Sequence, residues 1–209
     1  MLLYYITDRT QLPGDAPAQR TLLLHQIAEA ARSGVDYIQL REKDLSTRDL
    51  EQLALEAMRV VRQNSSSTRL LINSRTDVAL AVNADGVHLR SDDILPTEGR
   101  AIWTAKQNRP CTIGVSCHSA EQVSRAASEG VDFAVFGPVF GKKDESSRTA
   151  GLGALAGACK YNIPVLALGG VTLENAKDCL TAGAAGVAGI RLFQENDIPT
   201  VVSLLRDSR

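Results

Sequence analysis

The stretch Tyr37-Ile38-Gln39-Leu40-Arg41-Glu42-Lys43 alternates in character. Successive side chains of a β-strand point to opposite faces. Ile38 and Leu40 therefore share one face, and Gln39, Arg41 and Lys43 share the other. An apolar face of this kind suits a covering layer of helices. The polar face must then look into the centre of a closed sheet, near the C-terminal end of the strand. An amide and a guanidinium placed there are costly unless they meet partners. Arg offers a planar fork that matches phosphate or carboxylate. The alternative for Arg41 is a structural ion pair with Glu42 or Asp44.

Working outward, seven further short runs of β-branched or apolar residues punctuate the chain. Together the eight strands are expected at residues 2–7, 36–41, 69–73, 86–89, 112–116, 132–136, 164–168 and 186–189. Between them apolar residues recur at helical spacing, as in Leu22, Leu23, Ile27, Ala30 and Ala31, or Leu50, Leu53, Ala54, Ala57 and Val60. Strands alternating with helices imply parallel pairing, because parallel neighbours need a crossover. Eight such units are most simply closed into a single (β/α)8 barrel spanning residues 1–209 as one domain. The rival architecture is an open, doubly wound sheet.

A weak repeat supports closure. Ser33-Gly34-Val35-Asp36-Tyr37-Ile38 resembles Glu129-Gly130-Val131-Asp132-Phe133-Ala134, with looser copies from Asn83 to His88 and from Ala182 to Val187. They recur at every second strand, as in a barrel built from quarters. Each Gly is expected to end a helix in a left-handed cap.

Composition narrows the function. Lys+Arg number 23 and Asp+Glu 24, a net charge of -1, which gives no basic excess for nucleic acid. Cys111, Cys117, Cys159 and Cys179 lack metal-site or disulfide-framework spacing and read as reduced thiols. The first residues do not resemble a secretion signal, and no apolar run reaches the roughly 18 residues of a membrane helix. A cytoplasmic protein with small-molecule partners is expected, with a homodimer among the outcomes the sequence allows.

The remaining strand ends repeat the logic of the second. His88 and Arg90 oppose Val87 and Leu89, with Asp92 and Asp93 following. Either aspartate suits Mg2+, which takes oxygen ligands, or the cap of the helix that follows. Asn73 suits either a ligand or a helix cap. Ser116 and His118 share a face. His118 is a candidate proton carrier, with a cap or a core histidine as the alternatives. Cys117 points away from it, which excludes a Cys/His dyad. Beyond the sixth strand, Gly137-Pro138-Val139-Phe140 leads into a polar stretch at 141–148 that includes Lys142 and Lys143. It reads either as a closing lid or as a solvated loop. Gly169-Gly170 and Gly189-Ile190 follow the seventh and eighth strands. Barrels of this kind often hold a phosphate there on backbone N–H groups, and tight turns are the alternative.

Taken in order, these residues resemble the thiamin phosphate synthase and TenI-like superfamily nearly end to end. Tyr5-Ile6-Thr7-Asp8, Gln39-Leu40-Arg41-Glu42-Lys43, Leu71-Ile72-Asn73-Ser74-Arg75-Thr76-Asp77, Gly86-Val87-His88-Leu89 with Asp93, Gly114-Val115-Ser116 with His118, Gly137-Pro138-Val139-Phe140 and Gly169-Gly170 carry the likeness. The synthase branch joins a pyrimidine pyrophosphate to a thiazole phosphate. On that branch the resemblance implies that Gln39, Arg41 and Lys43 hold pyrophosphate, Asn73 the pyrimidine, Asp93 one Mg2+ and Gly169, Gly170 and Gly189 the thiazole phosphate. Three positions depart from the synthase pattern. Ser74 stands in place of the other Mg2+ aspartate, Arg90 in place of Gly, and a T-x-T-K loop is absent, leaving Lys142 or Lys143 as its partial substitute. The TenI-like branch is similar to a thiazole tautomerase, which needs no Mg2+ and moves a proton through a histidine matching His118. The damaged metal position inclines the sequence reading to the tautomerase. The synthase and a non-catalytic binder of thiazole or thiamin phosphate are its alternatives.

Overall fold

A computed structural model describes residues 1–141 and 149–207. Eight parallel strands close into a barrel in chain order, β1 to β8. They are β1 Leu2–Ile6, β2 Tyr37–Leu40, β3 Arg69–Asn73, β4 Gly86–Leu89, β5 Thr112–Cys117, β6 Phe133–Phe136, β7 Val165–Ala167 and β8 Gly186–Gly189. The seam is β1 on β8, with Leu3 opposite Val187 and Tyr5 opposite Gly189. The helices are α1 Ala16–Arg32, α2 Thr47–Asn64, α3 Thr76–Ala81, α4 Pro96–Lys106, α5 Ala120–Ser128, α6 Gly151–Ala158, α7 Ala176–Thr181, α8 Arg191–Gln194 and α9 Ile198–Asp207. The expected barrel is the observed one, and the strand limits differ from those read in the sequence by a residue at most. No helix among the described residues is long and apolar enough to cross a membrane.

Local chemistry explains the elements. The Ser46 side chain accepts from the Asp49 N–H to start α2, whose buried Leu50, Leu53, Ala54, Ala57 and Val61 recur at helical spacing. Two apolar layers result. Ile38, Leu40, Val87, Leu89 and Cys117 face the helices in the outer core. Tyr4, Ile6, Leu71, Phe133, Val135, Leu166 and Ala188 fill the lumen. The polar residues of β2 and β4 therefore do face the barrel interior, as their alternation predicts.

The quarter repeat has a physical basis at the N-terminal rim. Asp36, Asp85 and Asp132 precede β2, β4 and β6. Their carboxylates accept from the N–H groups of Leu3, Leu70 and Ile113, each at 2.8 Å. Their own N–H groups donate to the carbonyls of those same three residues. Each aspartate thus closes a two-bond ring onto the preceding odd strand. Arg206, Arg62 and Arg100 pair with Asp36, Asp85 and Asp132 in turn. The helix-ending caps need a correction at one copy. Gly34, Gly130 and Gly183 have φ of 83°, 69° and 100°, but the position is filled by Asn83, with φ 60°, before β4. Asn tolerates this left-handed region better than other side chains do. Gly86, the glycine within that copy, lies inside β4 instead.

Candidate active site

Parallel strands bring all eight C-terminal ends to one rim, so side chains far apart in sequence meet there. Tyr4, Gln39, His88 and Ser116 form one hydrogen-bonded chain across the lumen. Gln39 Nε2 donates to Tyr4 Oη at 3.0 Å. Tyr4 Oη lies 3.1 Å from His88 Nδ1, and His88 Nε2 lies 2.9 Å from Ser116 Oγ. Tyr4, Gln39 and His88 are buried, while Ser116 is half-buried. Gly114 makes the room: a Cβ there would lie 2.5 Å from the Phe133 ring and 3.0 Å from His88 Nδ1. Burial pushes the His88 pKa down to about 3, Asp93 acts against that shift, and Arg41 adds to it. The ring is therefore neutral at ordinary pH. Sequence reading found Gln39, His88 and Ser116 but missed Tyr4, which sits in the apolar run Leu-Leu-Tyr-Tyr-Ile. The one available signal was parity, since Tyr4 shares the inward face with Ile6.

A second group is cationic. Lys43 is exposed, and its pKa is lowered chiefly by the Arg41 cation, then by partial burial and by Arg90. Three cations thus stand within electrostatic reach of one another. Arg41 does not pair with Glu42 or Asp44, which was the structural alternative. Arg9 takes both, at 3.0 Å and 2.6 Å. Glu42 also accepts from the Thr7 hydroxyl at 2.6 Å. Arg41 is left with Asp8 at 3.8 Å.

The aspartates after β4 do not cap α4. The Leu95 N–H donates to Glu98 Oε2 at 3.0 Å, so Glu98 caps that end. Asp93 instead accepts from the Arg90 N–H at 2.7 Å and lies 3.6 Å from its guanidinium. Asn73 is not a cap either. Its amide donates to Ser74 Oγ at 3.2 Å, and α3 starts without a side-chain cap. Ser74 has φ 59°, in the left-handed region, held by its N–H donating to the His88 carbonyl at 2.9 Å. Among the described residues no three His, Cys, Asp or Glu groups gather into a metal-sized cluster.

His118 is exposed, with Nδ1 2.6 Å from the Gly137 carbonyl. It is not the cap of α5, because Ser119 accepts from the Gln122 N–H. Cys117 lies in the outer core, where burial pushes its thiol up to about 11, which agrees with excluding a Cys/His pair. Lys142 and Lys143 lie outside the described residues.

The third group is backbone. Val139 and Phe140 N–H groups donate to the Leu168 and Gly169 carbonyls, which extends the β6–β7 pairing past the strand ends. Gly169 has φ 94°, and a Cβ on it would sit 2.6 Å from Pro138, so only glycine fits. The N–H groups of Gly169, Gly170, Val171 and Ile190 have no acceptor among the described residues. Gly189 and Ile190 lead directly into the short helix α8.

Comparison with known proteins gives a consistent picture. The sequence profile described as thiamine monophosphate synthase (TMP-TENI) matches residues 3–193. The chain is 36% identical to the thiamine-phosphate synthase of Clostridium novyi over 93% of its own length and 91% of that protein. It is 37% identical to the thiamine-phosphate synthase of Methanoculleus marisnigri over 98% and 93%. Among solved structures, the thiamine phosphate pyrophosphorylase from Pyrococcus furiosus superposes with a TM-score of 0.81 at 30% identity, covering 99% of this chain and 94% of that one.

Proposed function

The chain belongs to the thiamine monophosphate synthase family, and from that premise we propose that it is the synthase, joining hydroxymethylpyrimidine pyrophosphate to thiazole phosphate with release of pyrophosphate. The names of its relatives stand on this side, and they lend no support to the tautomerase to which the sequence alone inclined. The observation that carries the reading is the cationic group. Arg41, Lys43 and Arg90 stand within electrostatic reach of one another, and Asp8, 3.8 Å from Arg41, is the carboxylate that acts on both Arg41 and Lys43. Such a cationic group suits a polyanion.

In the reaction the thiazole nitrogen attacks the exocyclic methylene carbon of the pyrimidine. The C–O bond breaks, and its electron pair leaves on pyrophosphate. Charge grows on the leaving oxygens, where Arg41 and Lys43 stand ready to stabilise it. Half-buried Asn73 faces the pyrimidine. The free N–H groups of Gly169, Gly170 and Ile190 receive the thiazole phosphate. Mg2+ would have to share Asp93 with the Arg90 guanidinium, and Ser74 offers only a hydroxyl, which already accepts from the Asn73 amide. The donor set does not fit a protein-built Mg2+ site.

The test is direct. Purified protein given the two substrates, with and without added Mg2+, should release pyrophosphate and form thiamin phosphate, each in equal amount. No product from either readout, with correctly folded protein, would sink the synthase reading. A second reading keeps one observation in its favour. With Nδ1 against a carbonyl, His118 leaves Nε2 free to take a proton. A tautomerase would convert thiazole phosphate carboxylate without any pyrimidine substrate, and would lose that conversion in His118→Asn.

A further inference from the structure

We infer that Tyr4 and His88 are positioning residues that fix the direction of a hydrogen-bond chain, Gln39 to Tyr4 to His88 to Ser116, so that the Ser116 hydroxyl faces the ligand site as a donor. The argument is a count of protons. Gln39 offers an amide N–H to Tyr4 Oη, so the phenol is an acceptor in that contact. The phenol then needs an acceptor for its own proton. Tyr4 is fully buried, and its other polar neighbour among the described residues is His88 Nδ1 at 3.1 Å. If His88 Nδ1 carried a proton, the phenolic proton would be buried with nothing to receive it, which costs more than the bond is worth. His88 Nδ1 is therefore the lone-pair nitrogen.

A neutral imidazole has one N–H, and here it must be on Nε2. Ring neutrality follows from the burial of His88, which outweighs the opposing Asp93 carboxylate, with Arg41 adding a smaller push in the same direction as burial. His88 Nε2–H then donates to Ser116 Oγ at 2.9 Å. The hydroxyl has one proton left and no other partner among the described residues. Ser116 is half-buried at the C-terminal end of β5, so that proton goes to whatever occupies the rim. The consequence is a fixed donor: the Ser116 hydroxyl offers its proton to a ligand lone pair at this point, while the imidazole N–H occupies one of its two own lone pairs. Each link also polarises the next, which strengthens the final donor.

The clean readout is the tautomer, which does not depend on any activity. In 15N NMR of the full chain, His88 should show a protonated Nε2 and a bare Nδ1 at pH 7. His88→Gln identifies its signals against those of His25 and His118. A protonated Nδ1 overturns the inference outright. Ser116→Ala should keep the Nε2–H form, because Tyr4 sets it; a switch to Nδ1–H on this change would put control at the wrong end and also overturn the inference. Tyr4→Phe should release the ring to a mixture of tautomers, and an unchanged single form would remove Tyr4 from its role.

Resting on the synthase reading, a kinetic arm adds to this. Ser116→Ala and Tyr4→Phe should each lower kcat about tenfold, as expected for one lost hydrogen bond, and the double variant should fall no further. Fully additive losses would refute the chain. Absence of any synthase turnover would sink the functional reading alone and leave the tautomer result to decide this one.

Discussion

The two ends of the barrel use the same residue types in opposite ways. At the N-terminal rim, each of Asp36, Asp85 and Asp132 holds a strand N–H at 2.8 Å and an arginine besides. At the C-terminal rim, Arg41 has Asp8 at 3.8 Å, and Lys43 pairs with no described carboxylate. Charge at the first rim is spent on holding strands together. At the second, Arg9 and Arg90 are held by carboxylates, while the charge of Arg41 and Lys43 is left available. The comparison separates residues that keep the barrel closed from residues that can meet a ligand, in a sheet where both look equally polar on paper.

The largest expected effect is at the available end. Arg41→Ala should lower turnover by about a hundredfold or more, in line with losing one charged donor to a developing anion. Its melting temperature should stay close to that of the parent, because no tight pair is broken. A large drop in melting temperature with little kinetic loss would erase the distinction between the rims. Next comes the closing end. Asp85→Ala strands the Leu70 N–H, Arg62 and Arg109. It should cost about 1–3 kcal/mol, a melting shift of several degrees. The kcat of the protein that remains folded should not move.

The smallest expected effect is on pH dependence. Arg41 and Arg90 hold the Lys43 pKa below that of an ordinary lysine. The charged form of Lys43 therefore disappears at a lower pH than 10.5. Affinity for inorganic pyrophosphate should weaken as pH rises through that lowered value, because the anion loses a cationic partner. Lys43→Gln should bind pyrophosphate a few-fold less tightly at pH 7, with its alkaline decline removed. Isothermal titration across pH would show a decline in both proteins if Lys43 is not its source.

Much of this was legible in the sequence, for identifiable reasons. Alternation in residues 37–43 assigned Ile38 and Leu40 to the helix layer and Gln39 to the lumen, because a strand's period of two leaves little choice. What could not be read was anything decided by a turn or a distant partner. Arg9 captures Glu42 and Asp44 because a short 3-10 turn at Arg9–Gln11 carries it back to β2. The Asp93 carboxylate turns back to the Arg90 N–H, and Glu98 takes the cap that was one of the two alternatives for Asp92 and Asp93. The cap before β4 was misplaced because Gly was used as its marker while Asn83 does the work. Tyr4 escaped notice because a hydroxyl in an apolar run carries no hint of which buried group it will meet.

The seam between β1 and β8 sets the timing of folding as well as its geometry. Leu2 donates to the Ala185 carbonyl, Gln194 brackets Asp8 with two hydrogen bonds, and Arg206 gathers the carbonyls of Met1 and Gly34 with the Asp36 carboxylate. Every one of these partners is separated by most of the chain. A polypeptide emerging from the ribosome thus carries β1 with one bare edge until β8 has been made. Until then the ring is an open ribbon, and its cavity does not yet exist.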